Sequence, residues 1–395
     1  MIVNFEEALR IVEREAGRVG TLGVERVGLL EAAGRVLAER VVADRDQPGF
    51  DRSTRDGYAV RAAEVGGPLR VLGQVRAGEA WRGTVGAGEC VQIMTGAPVP
   101  VGADAVVMVE HVAVVDGVLT VRAGRSLSAG ENIVPRGSEA RSGETVVGVG
   151  TVMAAAEIAL AASCGYPEVA VFARAGVAVI ATGDELVEVA EVPGDQGIRN
   201  SNSYAIAAMV AAAGGRAERL AIARDTREDI RARVAEGRKS ELVVFSGGVS
   251  MGEYDLVEEV LEEAGAKFFF TGVKMQPGKP VVFGRLGDGP YFFGLPGNPI
   301  STQVTFHCFA EPLLRALGGA GCVGPKWAQG TLGEAVTAKP GVTRLLPARM
   351  DGVTVRLVGW QGSGDLAANV RANCYAELLP GVEYGVGEVV RILLR

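Results

Sequence analysis

The sequence predicts an α/β protein with β domains, and three observations predict it. From residue 169 to 318, apolar runs rich in β-branched residues alternate with segments of helical period. That is the pattern of a mostly parallel sheet covered on both faces. Residues 58–140 and 319–395 break into short Val-rich runs separated by glycines, as small β domains do. Residues 4–40 and 154–164 carry apolar residues at helical spacing. The expected chain is therefore multidomain. A helical N-terminal and linker domain for dimerisation spans 1–47 plus 141–168, and a small β domain is inserted at 48–140. A three-layer α/β domain with a mostly parallel sheet spans 169–318, followed by a C-terminal β domain at 319–395.

Size and composition agree with this. The chain has 395 residues and a 48% hydrophobic fraction, enough for several packed cores. A net charge of −7 speaks against a nucleic-acid binder built on a basic face. The longest apolar stretch, 146–163, is interrupted by Gly148, Gly150 and Glu157, so no membrane helix is expected. The first residues show neither a basic nor an apolar leader pattern, so a cytoplasmic protein is expected. Five cysteines are scattered at 90, 164, 308, 322 and 374 with no CxxC pair, and they are expected as reduced thiols. With only two histidines, His111 and His307, any metal site must draw on Asp and Glu. Carboxylates point to a hard cation such as Mg²⁺.

In order, residues 6–18 read as a capped amphipathic helix and 27–38 as a second one. Pro48-Gly49-Phe50-Asp51-Arg52-Ser53-Thr54-Arg55-Asp56-Gly57-Tyr58-Ala59 is a polar loop holding acids and a DG turn. Met94-Thr95-Gly96-Ala97-Pro98 is a Pro-braced loop offering a hydroxyl. Residues 177–181 read as a strand, 203–213 as a helix, and Asp225 with Glu228 as the cap of another. Residues 242–245 form a strand that breaks into Ser246-Gly247-Gly248-Val249-Ser250 and resumes as a helix, with Ser250 and Glu253 as a capping box. Residues 268–273 read as one strand. Residues 281–286 and 291–293 flank Gly287-Asp288-Gly289 as a hairpin. Leu295-Pro296-Gly297-Asn298-Pro299 opens a helix through 309, with Asn298 as N-cap and Pro299 at N1.

Three strand ends, after Ala181, Phe245 and Phe293, fall at one carboxyl edge, where open α/β sheets bind ligands. The glycine loop there leaves N–H groups suited to an anion. Neither GxGxxG at a strand–helix junction nor GxxxxGK[ST] is present, since Gly278-Lys279 runs into Pro280. Asp184, Glu185, Asp225 and Asp255 near this edge, beside Lys279, make sense together if Mg²⁺ bridges carboxylates and phosphate oxygens. The residues alone point to Mg²⁺-assisted chemistry on a phosphorylated small molecule. Taken singly, each acid is equally a helix cap or a solvated turn residue.

The motifs quoted, together with Thr182-Gly183-Asp184-Glu185-Leu186, Pro277-Gly278-Lys279-Pro280 and Gln361-Gly362-Ser363, stand in one order along the chain. In that order they closely resemble the molybdopterin molybdenumtransferase family, MoeA in bacteria and the E domain of gephyrin. The resemblance spans essentially the whole chain. It implies a four-domain subunit, an elongated homodimer and a cleft shared between subunits. It implies that adenylylated molybdopterin and molybdate give molybdenum cofactor and AMP, with Mg²⁺. It assigns Asp56, Thr95, Glu185, Asp225 and Asp255 to catalysis, with Asp225 and Asp255 on the metal. Asp184, Ser246, Gly247, Gly248, Ser250, Lys279, Pro280, Pro296, Gly297, Asn298, Arg349 and Ser363 would hold substrate. Departures are Gln276 where some members have a second Lys, Glu139 in place of a common Asp, and Arg55 in place of an apolar residue. A molybdopterin adenylyltransferase, itself also a candidate partner, and a gephyrin-like scaffold are the alternative readings.

Overall fold

The structure, a computed structural model, describes residues 1–248, 256–321 and 323–395. The chain divides into two compact units. The larger comprises Met1–Ala38, Val149–Ala154 and Val169–Arg395, and the smaller Glu39–Gly148 and Ala155–Glu168.

The larger unit is built on a six-stranded sheet. Its order is Arg216–Arg219, Gly176–Ala181, Leu242–Ser246, Tyr291–Leu295, Val282–Leu286 and Ala266–Phe270. The first four strands are parallel, and Val282–Leu286 runs antiparallel to both of its neighbours. Both faces are covered, which is why these strands are continuous apolar runs. On one face Val177, Val179, Leu242, Val244 and Phe293 pack with Ile206, Val210, Val304 and Phe309, and with Phe5, Ala8 and Val12 of the helix Phe5–Ala16. On the other, Ala178, Ile180, Val243, Phe245 and Phe292 pack with Ile230 and Val234 of Arg227–Gly237 and with Val257, Val260 and Leu261 of Leu256–Glu263. The three layers and the mostly parallel sheet are as expected.

A second sheet of seven strands follows in the same unit. Strands Thr343–Asp351, Thr354–Leu357, Trp327–Leu332, Val389–Leu394 and Cys374–Leu378 neighbour one another in that order, and the last pairs back to the first, closing a small barrel. Its interior holds Leu332, Leu346, Ala348, Val355, Ala376 and Ile392. Two further strands, Ile2–Asn4 and Gly272–Gln276, extend this sheet beyond Thr343–Asp351.

The smaller unit contains a six-stranded sheet ordered Ala105–Met108, Gly57–Val60, Glu89–Ile93, Leu69–Val75, Val118–Val121 and Val112–Val115. Successive residues alternate between two apolar clusters, Tyr58, Val60 and Cys90 on one face and Ala59, Val91 and Ile93 on the other. The helix Ala155–Ser163 belongs to this unit.

Four local expectations are corrected. Residues 27–38 are not a helix. Val24–Gly28 is a strand paired with Glu168–Phe172, and Val36 and Leu37 bridge to Val152 and Val171. Gly28 and Gly34, the latter at φ +71°, interrupt what the Leu and Ala spacing imitates. Residues 268–273 are two strands, Ala266–Phe270 and Gly272–Gln276, lying in different sheets. The helix at Arg227 is capped by Thr226, whose hydroxyl accepts from the Asp229 N–H at 3.2 Å, and not by Asp225. The helix from Pro299 does not stop at 309 but passes through a π turn, Phe306–Ala310, into Glu311–Leu317. The capping box of Ser250 and Glu253 lies outside the described residues.

Candidate functional site

Parallel register levels the ends of three strands: Ala181 lies opposite Ser246, and Ser246 opposite Leu295. The loops that leave them enclose a cavity of about 340 Å³. Asn202, at the start of the helix Asn202–Ala212, ties two of these loops together. Its Nδ2 donates to Ser246 Oγ at 2.9 Å and to the Gly297 carbonyl at 2.7 Å. The loop after Leu295 is also held from below, where Thr302 Oγ1 donates to the Pro296 carbonyl at 2.6 Å. Gly247 and Gly248 take φ of +91° and +64° and press on Thr182, so a β-carbon at Gly248 would stand 2.6 Å from Thr182 Oγ1. Glycine is needed there for both conformation and space.

Of the expected site residues, Glu185, Ser246, Gly247, Gly297 and Asn298 line this cavity. Pro296 is buried beneath it. Ser363 is beside Gly364, which also lines it, and the Ser363 carbonyl accepts from the Ile300 N–H at 2.9 Å. Asp184 and Asp225 are exposed and adjacent, the Asp225 N–H donating to Asp184 Oδ1 at 3.2 Å. Arg224 reinforces this loop by donating to the carbonyls of Asp184 and Leu186 at 3.1 and 3.3 Å. Ser250 and Asp255 lie outside the described residues. Among the described residues no three His, Cys, Asp or Glu converge as a protein-only metal cage.

Lys279, Pro280 and Arg349 are not among the residues lining the cavity. Lys279 is exposed at the end of a tight loop, its carbonyl accepting from the Val273 N–H at 2.9 Å. Pro280 follows it, half-buried. Arg349 is exposed opposite Arg356. Arg344 is the residue paired with Gln276, and its Nε is buried with no partner. Burial holds the guanidinium pKa below its usual value.

In the smaller unit, the Asp56 loop and the Thr95 loop meet. The Thr95 N–H and hydroxyl both donate to Asp56 Oδ1, at 2.7 and 2.8 Å. These two bonds, the backbone one foremost, hold the Asp56 carboxyl below its usual pKa. Gly57 follows because a β-carbon there would run into the Val107 carbonyl across the sheet.

Three polar residues of the cavity were given no role from the sequence, Thr182 among them although it stands in a quoted motif. Thr182 and Asn200 are 3% and 2% exposed, and Thr182 Oγ1 and Asn200 Nδ2 have no hydrogen-bond partner among the described residues. Asn202 is the third. The available signal was the polar run Arg199-Asn200-Ser201-Asn202-Ser203 ahead of an apolar helix, which resembles an ordinary N-terminal cap.

Known proteins match along the whole chain. Residues 3–165 match the MoeA N-terminal region (domain I and II), 178–316 the probable molybdopterin binding domain, and 329–394 the MoeA C-terminal region (domain IV). A molybdopterin molybdenumtransferase of Staphylococcus aureus is 34% identical over 97% of this chain and 94% of its own. One from Staphylococcus epidermidis is 32% identical over 99% and 95%. A solved molybdopterin biosynthesis MoeA protein of Pyrococcus horikoshii superposes with a TM-score of 0.80 at 26% identity, covering 100% of both chains. Breadth of match and order of motifs agree: the chain belongs to the molybdopterin molybdenumtransferase (MoeA) family.

Proposed function

We propose that this protein inserts molybdenum from molybdate into adenylylated molybdopterin and releases AMP, a transferase step of molybdenum cofactor biosynthesis. Beyond family membership, one observation carries the reading. The cavity lies at the carboxyl edge of the sheet, within the segment matching a molybdopterin binding domain, and it is closed by three loops bearing family motifs. The alternative of an adenylyltransferase leaves the matched segments 3–165 and 329–394 without a purpose. A scaffold leaves the open polar groups of the cavity without one.

The residues divide the work by chemistry. The Gly247 turn and the N-cap at Asn298 bring backbone close to the substrate. Lys279, Arg349 and Ser363 are the basic and hydroxyl groups proposed for an oxyanion, with Arg344 beside Gln276 as a further cation, which suits molybdate. Asp56, held ionised by Thr95, is an acid available to position water or accept a proton, and Glu185 is the carboxylate on the cavity wall. Asp184 and Asp225 fit Mg²⁺, which takes one or two carboxylates and fills its shell with phosphate oxygens and water. Asp255 is the further acid expected on the metal. Bound there, Mg²⁺ would offset phosphate charge and polarise the phosphoanhydride that opens. A homodimer and a cytoplasmic location complete the proposal, with molybdopterin adenylyltransferase as the partner that supplies the substrate. No helix among the described residues is long and apolar enough to cross a membrane.

The test is AMP release from adenylylated molybdopterin with and without molybdate. Release that needs both molybdate and Mg²⁺ is expected. Asp56→Asn and Asp225→Asn should lower kcat on the order of a hundredfold. ATP-dependent adenylylation without molybdate-dependent release would overturn the reading. Sedimentation at equilibrium tests the dimer.

A further inference from the structure

Among the described residues, two buried polar groups of the cavity have no partner within the chain. Asn200 Oδ1 accepts from the Ser203 N–H at 3.3 Å, which fixes the orientation of the amide and leaves Nδ2 as a free donor. Thr182 Oγ1 is a second group without a partner. Both side chains are more than nine-tenths buried, so neither vacancy is an incident of surface exposure. A buried polar atom left unpaired costs about 1–3 kcal/mol, a cost that a ligand completing the bond removes. Glu185 adds a carboxylate folded back over Gly183. The strand Ile198–Arg199 pairs in parallel with Leu186–Val187, and this holds Asn200 and Glu185 at the two ends of one short ladder. Leu186 and Ile198 give the cavity apolar walls.

Cationic groups are scarce here. Arg199 lines the cavity, but its Nε is engaged by the carbonyls of Val189 and Glu191 at 3.1 and 3.0 Å. Amide, hydroxyl and carboxylate groups between apolar walls suit a flat, uncharged, hydrogen-bonding heterocycle better than a phosphate or molybdate. A pterin ring presents an edge with an amino group, a ring N–H and a carbonyl oxygen in sequence. A carboxylate can accept from the first two while an amide N–H or a hydroxyl donates to the third.

We infer that Glu185, Asn200 and Thr182 read the amino–amide edge of the pterin ring, so that this cavity is the ring subsite and the oxyanions are met elsewhere. The inference rests on the proposed substrate and assigns three of its contacts. Asn200 and Thr182 act as specificity residues, not as groups that touch the reacting atoms.

Two nearly isosteric variants separate recognition from structure. Asn200→Asp keeps the acceptor for the Ser203 N–H and loses the donor. Thr182→Val replaces an unpaired hydroxyl by a methyl group. Thr182→Val should keep or raise the melting temperature, whereas a structural role would lower it; Asn200→Asp buries a carboxylate and is read by KM rather than by melting. Both should raise KM for adenylylated molybdopterin about fivefold to tenfold, with kcat little changed. Pterin should compete better than lumazine, which carries oxygen in place of the amino group, and Glu185→Gln should erase that preference. Wild-type KM in both variants, or equal competition by pterin and lumazine, would overturn the inference. Should the wild-type protein release no AMP, the proposed function falls, and quenching of pterin fluorescence by the protein still decides the edge assignment. Absence of quenching then overturns it too.

Discussion

Two sets of buried polar groups in the larger unit differ in one respect. Near the Phe5–Ala16 helix, Arg391 and Glu311 have partners within the chain. Arg391 bonds to both oxygens of Glu377 at 2.5 and 2.6 Å and to Glu6 at 2.6 Å, and its guanidinium lies 4.1 Å from the Trp327 ring centroid. Glu311 is met by His307 Nδ1 at 2.7 Å, and Lys326 Nζ stands 2.7 Å from its other oxygen as an ion pair, off the line of a hydrogen bond. At the carboxyl edge of the sheet, Thr182 and Asn200 lack partners. A polar group whose partner is supplied by the chain fastens the fold. One whose partner must arrive marks where a ligand belongs.

The first set should be costly to break. Glu377→Ala leaves the half-buried guanidinium with the exposed Glu6 as its remaining acid and should destabilise by about 1–3 kcal/mol, read by urea unfolding of the tryptophan fluorescence. A comparable effect should appear with pH. Burial would raise the Glu311 pKa, but His307 and Lys326 outweigh it and hold it at about 2. A folded pKa below the unfolded value gives stability that is present above the ordinary carboxylate range and lost as pH falls toward 2. Wild type should therefore lose on the order of 1–3 kcal/mol more than Glu311→Gln between those limits. Glu311→Gln unfolding with the same acid sensitivity would remove Glu311 from the account.

At the ligand side, Gly248→Ala must adopt a left-handed φ and push on Thr182, costing about 1–2 kcal/mol in thermal unfolding. The smallest change in stability is expected in the other unit. Thr95→Val removes one of the two bonds to Asp56, so NMR titration should find the carboxyl pKa closer to its ordinary value, with the melting temperature nearly unchanged.

The alternation of strand and helix in residues 169–318 is legible because strands buried on both faces, such as Leu242–Ser246 and Tyr291–Leu295, have no polar face to blur the pattern. The motif residues Ser246, Gly247, Gly297 and Asn298 are legible for a related reason: loops at strand ends carry glycine and cap signals. What fails is decided at long range. Nothing near Thr271 marks the change of sheet, because the partner of Gly272–Gln276 is Thr343–Asp351. Residues 27–38 imitate a helix because their real partners, Val152 and Val171, lie more than a hundred residues on. Arg349 and Lys279 were legible as cations, but residue type does not say what each of them faces. Thr182 and Asn200 could not stand out, since an unpaired atom is visible only once every neighbour has been placed.

The sheet that carries the barrel is assembled from three distant places: Ile2–Asn4, Gly272–Gln276 and the strands from Trp327 to Leu394. During synthesis its first strand leaves the ribosome long before its neighbours exist. Gly272–Gln276 likewise waits with one edge bare for Thr343–Asp351. A product cut short before residue 343 would thus keep unmatched strand edges, the kind of surface that invites aggregation or disposal. Closure of this sheet makes synthesis through Thr343–Asp351 and the strands after it a condition for a quiet surface, and so couples quality control to them.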